Sequence, residues 1–401
     1  MVMRKILILC QYFYPEYVSS ATLPSQLAED LVKAGHKVDV FCGMPKEYSK
    51  EKNISKAEEY RGINIRRLNY TEFNNKSKIG RIINFFSLFV SFGLSMPKML
   101  KYNHIIVYSN PPILPLIPDI IHRITKKKYS FVVYDIAPDN AIKTGATKPG
   151  SIIDKLMKYI NKHVYKNATN VIVLGNEMKD YLIKNNISNN PEKITVIPNW
   201  YDEQKIEHNE IVNEEFKILR DHYKKIVLYS GNMGQLQDMK TIMDYLLLNK
   251  DNQEVLTILS GHGKKQNEVK LFIEENNISN VKVFDFLTGT DYSDVLVMAD
   301  ICLVSLVEEG KGLGVPSKIY GYLAAQKPLI AILDKNADIV KQIIEYDAGI
   351  HVKNKDAQKL YQYVNDVSKE ALFEKGMNAY KLYKTHYTRE ILTNKYVELF
   401  K

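Results

Sequence analysis

The sequence predicts an α/β protein built from two doubly wound, Rossmann-like parallel-sheet domains in tandem. Its 401 residues exceed what one hydrophobic core usually supports, so two domains of roughly 150–250 residues are expected. Short apolar runs alternate with longer periodic ones, the pattern of parallel βαβ units. That pattern stops at Pro198-Asn199-Trp200-Tyr201-Asp202 and then begins again.

In the first half the apolar runs predict strands at Lys5–Cys10, Lys37–Cys42, Ile63–Leu68, His104–Ser109, Tyr129–Asp135, Asn170–Leu174 and Ile194–Ile197. Helical periodicity fills the intervals at Ala21–Ala34, Arg81–Lys101, Ile113–Lys126, Ile152–Lys166 and Glu177–Lys184. A polar, acidic stretch from Glu203 to Asp221 reads as a linker with a short helix. The second series of strands is Lys225–Ser230, Glu254–Ser260, Val281–Phe286, Ile301–Leu306 and Pro328–Leu333, again alternating with helices, and Asp356–Lys401 reads as helical throughout. The expected boundaries are 1–205, 206–385 and a terminal helix, 386–401. In such sheets ligands bind at the strand carboxyl ends, so chemistry is expected in a cleft between the two halves.

Composition narrows the class. Apolar residues at 45% and charged residues at 25% are ordinary for a globular protein. Cys10, Cys42 and Cys302 fall in apolar runs, which predicts buried thiols in a reducing compartment, without a disulfide framework or a metal site. The amino terminus does not read as a secretory signal, and the uncharged run Ile82–Pro97 is too short to span a bilayer. A cytoplasmic protein is expected. Residues 1–205 carry a net charge of +12 and the remainder −3, which give the overall +9. A basic first half suits an anionic surface or substrate. No nucleic-acid platform or recognition helix is recognisable, so an anionic membrane face carrying a phosphate-linked lipid is the expected partner, against a simple solvated basic face.

Five loops carry the candidate chemistry. After the first strand, Gln11–Ser20 leads into a helix, with Ser19 and Ser20 at its positive end; they read equally as anion or hydroxyl contacts and as N-caps. In the second half, Gly231-Asn232-Met233-Gly234 and Gly261-His262-Gly263-Lys264 are glycine turns at strand ends, suited to close approach of a pyrophosphate. A further loop, Glu308-Glu309-Gly310-Lys311-Gly312-Leu313-Gly314-Val315-Pro316-Ser317-Lys318, is the most informative. Its glycines permit unusual backbone angles, Ser317 is placed to cap a helix, Lys318 favours an anion, and Glu308 and Glu309 suit sugar hydroxyls. In the first half, Asp135 and Asp139 lie beyond a strand end, where one carboxylate would orient an acceptor hydroxyl or take its proton; Asp139 reads equally as a turn or cap residue.

Taken together these segments resemble the retaining glycosyltransferases of family 4, GT-B fold, of the capsule and O-antigen type. KILILCQYFYPEYVSSATLPSQLAEDLVKAGHKVDVFCGMP is similar to that family's first βαβ unit, VYDIAPD to its Asp-x-x-Pro-acidic signature and VIPNWYD to its interdomain boundary. YSGNMG, SGHGKK and VPSKIYGYLAAQKPLIA follow in the family's order. The resemblance implies a nucleotide-sugar donor, UDP-linked and carrying an N-acetylated amino sugar, held by Gly231, Asn232, Lys264, Glu308, Ser317 and Lys318. It implies Asp135, Asp139 and Glu309 as catalytic carboxylates, Tyr14, Ser19 and Ser20 on the acceptor side, and no metal or cofactor. The implied acceptor is a polyprenyl-diphosphate-linked saccharide, and the terminal helix would cross back to the first domain. Two positions depart from the family. Gly321 stands where a ribose-gripping Glu is usual, and Asn232 stands in place of an Arg, with the usual Lys falling near Gln237 or Asp238. The helix Arg81–Leu100, flanked by Lys76, Lys78 and Arg81 and by Lys98 and Lys101, reads equally as a buried core helix and as a bilayer-interface helix, with Lys126-Lys127-Lys128 adding charge. The alternatives are a sugar-nucleotide epimerase of the same architecture and a sugar-nucleotide binder without turnover.

Overall fold

The computed structural model describes residues 3–45, 49, 53–73, 77–206 and 210–400. The chain divides into two compact units: Met1–Asn199 with Gly312–Val315 and Arg389–Lys401, and Trp200–Lys311 with Pro316–Thr388.

The first unit is one eight-stranded sheet. Its strands are β1 (Lys5–Leu9), β2 (Lys37–Gly43), β3 (Ala57–Tyr60), β4 (Ile63–Leu68), β5 (His104–Tyr108), β6 (Lys128–Val133), β7 (Asn170–Val173) and β8 (Ile194–Val196), in the order β3-β4-β2-β1-β5-β6-β7-β8. All neighbours are parallel except β3, which pairs antiparallel with β4. The central strands are buried on both faces, which is why they read as continuous apolar runs. The edge strand β3, Ala-Glu-Glu-Tyr, lacks such a run and was invisible to hydropathy. Strand order reverses between β1 and β5, the switch point where such sheets open a crevice.

Helix Lys78–Leu94, capped by Ser77 accepting from the Gly80 amide, ends earlier than the periodicity suggested. Pro97 opens a separate turn, Met96–Met99, because its ring cannot extend the preceding helix. One face of the long helix supplies Leu88 and Phe92 to the core, while Ile79, Ile82, Phe86 and Leu94 face solvent. The run is therefore apolar all round without being buried all round. Lys76 and the side chain of Lys78 lie outside the described residues.

The terminal segment is helical in three pieces, Ala357–Asp366, Lys369–His386 and Arg389–Glu398, rather than throughout. The last belongs to the first unit. Arg389 donates to both Asp30 oxygens at 2.8 Å and to Glu29 at 2.7 Å, and Arg4 Nε donates to the Phe400 carbonyl at 2.8 Å.

The second unit is a six-stranded, wholly parallel sheet of β9 (Lys225–Ser230), β10 (Val255–Ser260), β11 (Val281–Phe284), β12 (Ile301–Ser305), β13 (Leu329–Ile332) and β14 (Gly349–Val352), in the order β11-β10-β9-β12-β13-β14. Its switch point lies between β9 and β12. The stretch read as a linker holds a short 3-10 turn, Glu203–Lys205, and helix Glu214–His222; residues 207–209 are outside the description. The three cysteines are buried and unpaired.

Candidate active site

At the carboxyl end of β9, Gly231 takes φ +139° and its amide donates to the Ser260 carbonyl at 2.8 Å. The turn after β10 folds directly against it. A Cβ on Gly261 would lie 2.0 Å from the Gly231 carbonyl oxygen, and one on Gly263 2.5 Å from that of Met233. The two glycine turns thus interlock backbone to backbone, which only glycine allows at this spacing. The Asn232 side chain lies in the same joint, between Gly234 and Gly263. Gln237 accepts from the Gly234 amide and buried Asp238 caps helix Met239–Leu248, so both are occupied in shaping the turn. Lys265 is likewise spent, donating to the Gln237 carbonyl at 2.7 Å, whereas Lys264 is exposed.

The Lys318 ammonium arrives at this joint from helix Lys318–Ala324. Its Nζ lies 3.4 Å from the centroid of the Tyr229 ring, and Gly231 is within reach, since a Cβ there would meet Nζ at 3.2 Å. The helix is pinned by Tyr322, whose hydroxyl accepts from the Ser230 amide at 2.7 Å and donates to the Ser230 carbonyl at 3.0 Å. Lys318 Nζ is buried with no hydrogen-bond partner among the described residues. Desolvation holds its pKa well below the ordinary lysine value. Among the described residues the aromatic face alone compensates this buried amine, a costly arrangement for a cation.

Ser317 does not cap this helix. Its backbone is already helical, φ −66° and ψ −20°, so the hydroxyl cannot turn back to the first amides, and it stays exposed. Ser19 and Ser20 fail as caps for a related reason. They are the first two residues of helix Ser19–Lys33, and extended Val18 occupies the cap position without a side-chain bond. Tyr14, in the loop after β1, stacks on Tyr60 at 3.8 Å between ring centroids. Glu308 and Glu309 are exposed in a 3-10 turn after β12, whose Val307 amide donates to the Leu236 carbonyl at 2.8 Å; this sets both acids beside the Gly231–Asp238 loop.

The glycine-rich loop is less uniform than its sequence. Of its three glycines only Gly312 adopts a positive φ, +73°. Gly312–Val315 packs as part of the first unit: Leu313 is in that unit's core, and its carbonyl accepts from the Ile136 amide at 3.3 Å. Beside it, Asp135 lies beyond the end of β6, its backbone tethered by Ser109 and its Oδ1 accepting from Asn140 Nδ2 at 2.9 Å. Crowding by protein pushes this carboxyl up to about 6, the Asn140 bond acting against the shift, although the side chain still meets solvent. Asp139 opens helix Asp139–Lys143 and accepts from the Tyr181 hydroxyl at 3.2 Å.

Gly321 is closely packed where the resemblance expects a glutamate. A Cβ there would meet Tyr201 at 3.2 Å and the Tyr292 hydroxyl at 3.3 Å. Tyr229 and Tyr322 were missed by sequence reasoning, since both sit in apolar runs and read as core aromatics.

Residues 22–205 match the model of Glycosyltransferase Family 4, and 210–382 that of Glycosyl transferases group 1. The chain is 26% identical over 294 residues, 72% of each chain, to the probable glycosyltransferase WbjE of Pseudomonas aeruginosa. It is 22% identical over 180 residues, 44% of this chain and 43% of the relative, to the putative colanic acid biosynthesis glycosyl transferase WcaI of Escherichia coli K12. Among solved structures, Anabaena HepE in complex with UDP and glucose superposes with a TM-score of 0.71 at 14% identity, covering 99% of both chains. With both halves matched in order by glycosyltransferase models, the first of them that of family 4, and the fold shared over its whole length, the chain is a glycosyltransferase of GT-B fold.

Proposed function

We propose that the chain transfers an N-acetylated amino sugar, with retention and without a metal, from a UDP-linked donor to a polyprenyl-diphosphate-linked saccharide, a precursor of a bacterial surface polysaccharide. The observation that carries the donor half is Lys318: a buried, partnerless ammonium beside the interlocked glycine turns, at the switch point of the second sheet. A diphosphate arriving there supplies the missing partner, and the same charge pairing steadies the departing UDP. Glu308 and Glu309 accept the sugar hydroxyls, and Asp135, with its raised pKa, takes or orients the acceptor proton. Asp139 is held by Tyr181 and supports that loop. The polysaccharide role is supported by the likeness to WcaI, a putative colanic acid biosynthesis glycosyl transferase, and to WaaG, a glycosyltransferase involved in lipopolysaccharide biosynthesis that is 14% identical with a TM-score of 0.64. Contact with the inner membrane face is supported by the exposed apolar face of helix Lys78–Leu94 and the basic first half. No helix among the described residues is long and apolar enough to cross a membrane.

The absence of a carboxylate at Gly321 favours a second reading, a donor binder without turnover. A panel of UDP-, GDP- and dTDP-sugars with membrane lipid extract separates the two. Release of UDP with labelled lipid supports transfer; tight donor binding without release on any acceptor supports the binder. Conversion of the donor to an epimer would overturn both.

A further inference from the structure

Helix Lys78–Leu94 exposes Ile79, Ile82, Phe86, Val90 and Leu94 at steps of three or four residues, so they form a single stripe. Phe86 is 60% and Leu94 80% exposed, values that exclude a role in this unit's own core. At the Leu94 end of the stripe lies an open cavity of about 880 Å³, walled by residues of β2, β4 and Lys98–Tyr102. Its carboxylates are already engaged. Asp39 faces Lys101 Nζ at 3.5 Å and accepts from the Tyr102 hydroxyl, and Glu58 pairs with buried Arg67. Three lining cations, Lys56, Arg66 and Lys98, have no carboxylate partner among the described residues; Arg66 only lies 5.7 Å over the Phe41 ring. The cavity is therefore net positive and continuous with an exposed apolar ridge.

We propose that this cavity binds the phosphate headgroup of an anionic phospholipid while the Ile79–Leu94 stripe enters the acyl region of the same leaflet. The inference rests on the membrane-contact reading above and adds a specific headgroup site to it. A soluble phosphate would satisfy the cations but leave the ridge in water, whereas one lipid molecule satisfies both. The site is separate from the Lys318 joint, which lies in the other unit.

Co-sedimentation of the full chain with vesicles of phosphatidylcholine, alone or mixed with phosphatidylglycerol, tests this. The wild type is expected to bind the mixed vesicles preferentially. Replacing the three cations together, Lys56→Ser, Arg66→Ser and Lys98→Ser, is expected to cost about fivefold per residue, roughly 100-fold in all, and to abolish the preference. Phe86→Ser with Leu94→Ser is expected to weaken binding to both compositions. UDP affinity should be unchanged in both variants, which establishes that they fold. If the triple variant binds mixed vesicles like the wild type, the headgroup site is wrong while the membrane contact stands. If millimolar inorganic phosphate displaces the wild type from mixed vesicles at constant ionic strength, the cavity is a general anion site and the lipid assignment falls. If the wild type binds no vesicle, the membrane reading itself falls.

Discussion

Replacing Lys318 by Met removes the ammonium but keeps an unbranched chain over the Tyr229 ring, so it isolates charge from packing. A hydrogen bond to a charged group contributes about 1.5–3 kcal/mol, so UDP affinity should fall about 10- to 150-fold. Stability should not fall with it. In the free protein the buried ammonium lacks a hydrogen-bond partner, and the desolvation cost is offset in part by the aromatic face, worth about 2 kcal/mol when desolvated. The variant should therefore melt within a few degrees of the wild type or above it. Proton linkage gives an independent readout. Burial lowers the pKa of Lys318 in the free protein, and a bound diphosphate raises it again. Binding must then take up protons, so affinity is fullest below the free-protein pKa and is lost as pH rises through that of the complex. Titration calorimetry in buffers of different ionisation enthalpy should show this uptake in the wild type and not in the Met variant. Unchanged UDP affinity in a folded Met variant would refute the reasoning.

Further outcomes follow from the same geometry. Gly321→Glu should lower the melting temperature without improving UDP affinity, because Tyr201 and Tyr292 must give way to its Cβ, 3.2 and 3.3 Å from them, and overpacking costs about 1–3 kcal/mol; thermal melts and calorimetry check both. Asp135→Asn should reduce transfer about 10²- to 10⁴-fold with UDP affinity intact, and wild-type transfer should decline as pH falls through about 6, where the carboxyl protonates; a wild-type profile flat down to pH 5 would remove Asp135 from proton transfer. Arg389→Ala leaves Glu29 to Arg61 and Asp30 to Lys33, both more exposed cations, and should cost about 1–3 kcal/mol, seen as a lower denaturation midpoint. For Asp30, desolvation raises the pKa but the Arg389 bonds outweigh it, so the net shift is downward. That part of the stability is present above the unfolded carboxylate pKa and lost as pH falls below it, and the variant should lack this acid sensitivity.

The fold was legible because twin parallel sheets bury their strands on both faces, leaving apolar runs such as Lys225–Ser230 that periodicity detects. Strand β3 escaped because an edge strand needs no such run. At the site, Gly231 and Lys318 were legible as a glycine turn and a cation at a helix start, but what makes Lys318 unusual was not. That depends on the Tyr229 ring beneath it and on Tyr322 fixing the helix to Ser230, contacts between residues some 90 positions apart in sequence. The capping errors at Ser19 and Ser317 share one cause. Composition shows which residue is able to cap, whereas capping is decided by the backbone angles that residue adopts, and those of Ser317 are helical. Resemblance supplied Gly321 as a missing glutamate; packing against Tyr201 shows that the position has been given over to side-chain contact.

A crystal structure with UDP bound tests the central claim most directly. The account predicts a diphosphate oxygen about 2.7–2.9 Å from Lys318 Nζ, with the ammonium drawn from the Tyr229 face toward Gly231. A diphosphate bound elsewhere, with Lys318 still resting on Tyr229 alone, would contradict it.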